Sequence, residues 1–88
     1  MTIGQVVMSI AGRDAGKKMI VTQICDASYV LVADGDLRKI ENPKKKKVKH
    51  LKMTDVVAYK LAEKWESGMY VNNAEIRKYL KEEGMDFV

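Results

Sequence analysis

Hydrophobic residues alternate along the first half of this chain and recur at helical spacing along the second. That change of period, near Leu51 to Thr54, restricts the fold to a small β module followed by a helical tail. Gln5 to Ala11 places Val6, Met8 and Ile10 on one face, and Met19 to Ile24 resumes the alternation after the loop Gly12-Arg13-Asp14-Ala15-Gly16-Lys17-Lys18. Tyr29 to Val32 follows a polar turn at Asp26-Ala27-Ser28. The Asp-Gly dipeptide in Asp34-Gly35-Asp36 favours a tight hairpin, which predicts a fourth strand over Leu37 to Ile40. Pro43 and the lysines after it read as a loop leading to a weaker fifth strand, Val48 to Leu51. Strands this short and this few cannot form a large sandwich. A small, strongly bent antiparallel barrel buries both sets of apolar side chains. The fold class is mainly β with an α tail, divided at residues 1 to 53 and 54 to 88.

In the tail, Thr54 or Asp55 is the expected N-cap of a helix running from Val56 to about Glu66. Val57, Leu61 and Trp65 form its apolar stripe, and Gly68 ends it. A second helix starts at Asn72 or Asn73 with Glu75 in a capping-box position, carries Ile76, Tyr79 and Leu80, and stops at Gly84. Neither helix is long enough to be stable alone in water, so each must dock on the barrel or on the other.

Charge is unevenly spread. Residues 1 to 53 carry eleven Lys/Arg against five Asp/Glu, a net +6, while residues 54 to 88 carry five against seven, a net −2. A segregated positive surface is suited to a polyanion, and nucleic acid is the commonest one in the cytosol. The apolar run Tyr29 to Ala33 is far short of a membrane span, and Met1-Thr2-Ile3-Gly4 lacks the pattern of a secretory leader, so the expected location is cytoplasmic and no membrane partner is expected. A single cysteine, Cys25, makes no internal disulfide and reads as a small buried hydrophobe. The methionines read as core filler. One histidine, His50, does not build a metal cluster with Cys25, and no nucleophile, base or paired carboxylate falls into a catalytic pattern. The reading is a non-enzyme with no cofactor.

The most informative segment is Gly4 to Asp26: an opening glycine, an alternating strand, a turn with Gly12 and Gly16 flanked by Arg13, Lys17 and Lys18, and a second strand. A short turn needs backbone positions free of Cβ, and exposed amides beside cations suit a phosphate. Gly12 to Gly16 is not a nucleotide-binding P-loop, because only three residues separate the glycines, Lys18 replaces the required hydroxyl after Lys17, and a strand follows. Lys44 to Lys47 with Lys49 and Lys52 concentrates six cations in nine residues, to be read either as a solvated loop or as a phosphate contact. The second reading is favoured, because the run supplies much of the basic excess.

The segment from Gly4 to Asp26 resembles the KOW motif. Ile24-Cys25-Asp26, Tyr29-Val30-Leu31-Val32, Asp34-Gly35, Arg38 and Lys49-His50-Leu51-Lys52-Met53-Thr54 extend the likeness to the large-subunit ribosomal KOW proteins of archaea and eukaryotes, the fourteenth-protein type. Short bacterial KOW-domain relatives are similar through the tail as well, at Val71-Asn72-Asn73-Ala74-Glu75-Ile76-Arg77-Lys78-Tyr79-Leu80. The resemblance implies an SH3-like barrel that binds ribosomal or other structured RNA, with ribosomal proteins as further neighbours. The lysine run is more basic than that family loop requires. The expected RNA-binding set is Arg13, Lys17, Lys18, Arg38, Lys39, Lys44, Lys45, Lys46, Lys47 and Lys49, on a barrel end shaped by Gly12 and Gly16. The alternative is an adaptor that binds a protein of the translation or transcription machinery through the barrel or the Trp65 helix.

Overall fold

The computed structural model describes residues 1 to 82, so the expected helix stop at Gly84 lies outside the described residues. Five antiparallel strands, β1 (Gln5–Ser9), β2 (Lys18–Ile24), β3 (Tyr29–Ala33), β4 (Lys44–Lys47) and β5 (Leu51–Val57), are followed by α1 (Tyr59–Glu66) and α2 (Asn73–Glu82). The sheet order is β4-β3-β2-β1-β5. The two edge strands are therefore consecutive in sequence, joined by a single 3-10 turn at Val48–His50. So short a link forces the sheet to curl on itself in the manner of an SH3-like barrel.

The curl gives the sheet two buried faces. Val7, Met19, Val21, Val30, Val32 and Leu51 pack together inside the curl, with Val48 beside them. Val6, Ile20 and Ala33, on the opposite face, pack under Ala58, Leu61, Val71 and Ile76 from the tail, and Trp65, Tyr79 and Leu80 close the margin. Both helices dock on the barrel, as their length requires. Simple alternation fails here because strands covered on both sides read as near-continuous apolar runs. Val6 and Val7 are both fully buried, whereas Ile10, expected on the core face, is exposed beyond the end of β1.

Four expectations are corrected. Leu37 to Ile40 forms no strand: Asp34 Oδ1 accepts from the amides of Asp36 (2.9 Å) and Arg38 (2.8 Å), and the Asp34 and Gly35 amides donate to the Arg38 carbonyl. With its backbone groups turned inward, this segment has no ladder to offer. The lysine run is the fourth strand rather than a loop, in register Tyr29 with Lys47, Val30 with Lys46, Leu31 with Lys45 and Val32 with Lys44. The third correction concerns the fifth strand and the start of the first helix: Val48–His50 is a 3-10 turn, so the strand begins only at Leu51. β5 runs on to Val57 because its far end pairs with β1 at Gln5, and Thr54 Oγ1 donates to the Val6 carbonyl at 2.6 Å instead of capping a helix. The helix begins only at Tyr59, and no side chain caps it. Finally, Cys25 is exposed just past the end of β2, and of the methionines Met19 fills the core while Met53 and Met69 lie at the surface. The second helix starts as expected: the Glu75 amide donates to Asn72 Oδ1 at 2.8 Å.

Candidate nucleic-acid interface

The glycine corner between β1 and β2 turns on two residues with positive φ, Gly12 (82°) and Gly16 (88°), a conformation that costs an L-residue roughly 1–2 kcal/mol. The Gly16 amide donates to the Ser9 carbonyl at 2.7 Å, and the Ser9 amide to the Lys17 carbonyl at 3.0 Å. Between the glycines the corner presents Arg13 to solvent and folds Asp14 inward.

Asp14 is the hub of the barrel end. Its Oδ1 accepts from Lys46 Nζ at 2.6 Å and lies 2.7 Å from Ser9 Oγ, and Lys44 Nζ stands 3.2 Å from Oδ2. Lys46 Nζ also donates to the Ala11 carbonyl at 2.9 Å. Burial alone raises the Asp14 carboxyl pKa, but hydrogen bonds from Lys46, Ser9 and Lys44 and the Lys46 charge outweigh it, holding the group well below the usual carboxylate range. A carboxylate depressed on folding stabilises the fold above its unfolded pKa, about 3.9, and that stabilisation fades as pH falls further. Acid titration followed by circular dichroism should show Asp14→Asn losing much less stability than the parent between about pH 4 and pH 2, since the variant has no proton to take up there.

This cluster sorts the lysine run by its period of two. Lys44 and Lys46 share the face that meets Asp14, and the Lys46 side chain is only 7% exposed. Lys45 and Lys47 point the other way and are exposed. Lys45 Nζ sits 4.8 Å above the Tyr29 ring centroid, a cation–π pair. Long stems let an edge strand of lysines cover apolar neighbours while the charges deter pairing with another sheet.

The structure divides eight of the ten sequence-predicted cations between the two ends of β4, leaving Lys45 over Tyr29 and Lys46 buried on Asp14. At one end Arg13, Lys17, Arg38 and Lys44, with Asp14, Asp34, Met19 and Leu37, surround a hollow of about 220 Å³. Lys39 is exposed on the adjoining loop, and Lys18 opens β2 beside Lys17. At the other end Lys47 and Lys49 line a separate hollow of about 490 Å³ with Ala27, Ser28, Tyr29 and Val48. Lys46 joins neither, its ammonium being enclosed by Asp14 and Ala11. Sequence reasoning missed Asp14 and Ser9 as the pair that consumes it. The available signal was a lone acid in an otherwise basic turn, the one local charge able to neutralise a cation brought in from another strand.

A curled five-stranded sheet, a glycine corner joining its first two strands and a cationic edge, followed by two docked helices, define a KOW-type barrel protein. No protein-family model matches the chain. It is 30% identical to the large ribosomal subunit protein eL14 of Metallosphaera sedula over 89 aligned residues, which cover 98% of this chain and 83% of the relative. The eL14 protein of Desulfurococcus amylolyticus is 38% identical over 53 residues, 60% of this chain and 55% of that one. The chain belongs to the eL14 family of large ribosomal subunit proteins.

Proposed function

We propose that the protein is a non-catalytic, ribosome-associated RNA-binding module that docks the Arg13 end of its barrel on phosphates of folded ribosomal RNA. The observation carrying this reading is the gathering of Arg13, Lys17, Arg38 and Lys44 around one hollow by three separate segments of chain, against only two carboxylates. Of those two, Asp14 is matched by Lys44 and Lys46, and Asp34 accepts from its own loop amides, so the field outside the hollow is positive. Phosphate contacts of this kind set register on a folded RNA, and the shape of the RNA supplies selectivity. Among the described residues no helix is long and apolar enough to cross a membrane.

The buried pair refines the expected RNA-binding set. Lys46 holds the barrel end together, Lys44 is shared with Asp14, and the other cations, Arg13, Lys17, Lys18, Arg38, Lys39, Lys45, Lys47 and Lys49, meet the polyanion. Affinity for a large-subunit ribosomal RNA transcript, measured across a salt series, tests this. Each lost contact flattens the slope of log K against log salt by about 0.7 to 0.9. Arg13→Ser/Lys17→Ser together should therefore flatten it by roughly 1.4 to 1.8 with the fold unchanged. An unchanged slope in that variant contradicts the assignment.

A protein-docking role has one observation in its favour, a hollow of about 310 Å³ edged by Trp65, Met69, Tyr70, Ile40 and Leu31, with Met69 and Tyr70 exposed. Trp65 packs against the core, so truncating it perturbs the fold itself. Tyr70→Ala is the variant that separates a protein contact from an RNA contact.

A further inference from the structure

The second hollow, at the far end of β4, has a different composition from the first. On the outer face of the β3–β4 pair, Tyr29 stands opposite Lys47 and diagonal to Lys45. Tyr29 lines the hollow together with Lys47, Val48, Lys49, Ala27 and Ser28. Lys45 is over the ring but is not among the residues lining the hollow. Neither Lys47 nor Lys49 has an acidic partner among the described residues, and the Ser28 hydroxyl has no hydrogen-bond partner there. The nearby carboxylate, Asp26, is turned onto the backbone, accepting from the amides of Ser28 (2.7 Å) and Tyr29 (2.9 Å). Those bonds fix the turn and hold Tyr29 in place.

A half-buried aromatic ring, two unneutralised ammonium groups and a free hydroxyl around one concavity match the parts of a nucleotide: a π face for the base, cations for its phosphates, and a donor–acceptor for its polar edge. The hollow falls within the usual range for small-ligand sites. An acidic peptide would satisfy Lys47 and Lys49 but make no use of the aromatic ring beside them. The geometry points to a subsite for a single unpaired RNA nucleotide, its base stacked on Tyr29 and its phosphates held by Lys47 and Lys49. The inference rests on the RNA-binding reading and deepens it: roughly 13 Å along β3 from the phosphate-binding hollow, the same strand pair takes a base that has left its helix. The first end reads backbone shape, and the second selects RNA that has an extruded or single-stranded residue within reach.

The full chain, titrated by NMR with hexaadenylate and in parallel with a fully paired RNA duplex, tests this. Hexaadenylate should move the amide signals of residues 27 to 29 and 47 to 49 and the Tyr29 ring signals, whereas the duplex should move those of residues 12 to 18 and 38. Tyr29→Ala should weaken hexaadenylate binding about tenfold, Tyr29→Phe should retain it, and duplex affinity should change by less than about twofold in both. Lys47→Ser/Lys49→Ser provides a second variant should Tyr29→Ala fail to fold, and it should weaken hexaadenylate by a larger factor than it weakens the duplex, whose affinity also draws on these two charges. Duplex binding with no response around Tyr29, or a hexaglutamate peptide moving the same signals as strongly as hexaadenylate, overturns the nucleotide subsite alone. Absence of binding to either RNA by the folded protein overturns the RNA reading beneath it.

Discussion

Replacing Asp14 with Ala should cost the fold about 3–5 kcal/mol, the loss expected when one member of a buried ion pair is removed and the other is left behind. In the variant the Lys46 ammonium, with its side chain only 7% exposed, would keep the Ala11 carbonyl as its one partner, and Ser9 would lose its closest contact. At about 4–8 °C per kcal/mol for a domain of this size, the thermal midpoint at neutral pH should fall by at least about 12 °C. Removing both charges in Asp14→Ala/Lys46→Met should recover most of the loss, because an apolar pair leaves no uncompensated charge. The effect reaches the candidate interface. The Asp14–Lys46 bond ties the corner between β1 and β2 to β4 at the barrel end, so Arg13 and Lys17 take their positions from it. A single variant that melts within a degree or two of the parent would show that this pair does not hold the end shut.

Gly35→Ala is the second large effect. Gly35 has φ of 77°, and a Cβ built there would lie 2.5 Å from the Asn73 carbonyl oxygen and 3.2 Å from Ile76 Cβ. The left-handed conformation costs about 1–2 kcal/mol and the forced separation of loop from helix about 1–3 more, so a loss of about 2–5 kcal/mol is expected in chemical denaturation. The glycine is what lets α2 approach the β3–β4 loop. Arg77 Nη1 donates to the Gly35 carbonyl at 2.6 Å, and the Ile40 amide donates to Asn73 Oδ1 at 2.7 Å. Since that loop carries Arg38 and Lys39, the variant should also weaken RNA binding more than its folded fraction accounts for. A Gly35→Ala protein of unchanged stability would contradict the close packing of helix on loop.

Local signals explain which parts of this fold were legible in the sequence. The positions of the first three strands, though not which of their faces are covered, the capping box at Asn72 and the docking of both helices follow from apolar patterning, capping chemistry and the marginal stability of short helices. What escaped was decided by partners distant in sequence. Four consecutive lysines have poor strand propensity, and they become β4 because their stems lie along β3 and two of their ammoniums meet an acid some thirty residues earlier. Thr54 and Asp55 have the chemistry of helix caps, yet pairing with β1 keeps them in β5. Asp34 has the chemistry of a hairpin turn, but it closes a loop by accepting two amides and no strand follows. At the candidate site the sequence shows where the positive charge lies. It does not show that Lys46 is consumed internally, because that depends on which face of β4 meets Asp14. Nor does it show that Tyr29 is flanked by Lys45 and Lys47, since that follows from the register of β3 on β4.

The central claim is that the basic barrel end meets ribosomal RNA, and the most direct measurement is ultraviolet crosslinking in cells, with the attached RNA sequenced and the attached peptides mapped by mass spectrometry. The account predicts one defined region of large-subunit ribosomal RNA, joined to peptides from residues 12 to 18 and 38 to 49. Crosslinks to protein alone, or to RNA through the outer surfaces of the two helices, would contradict it.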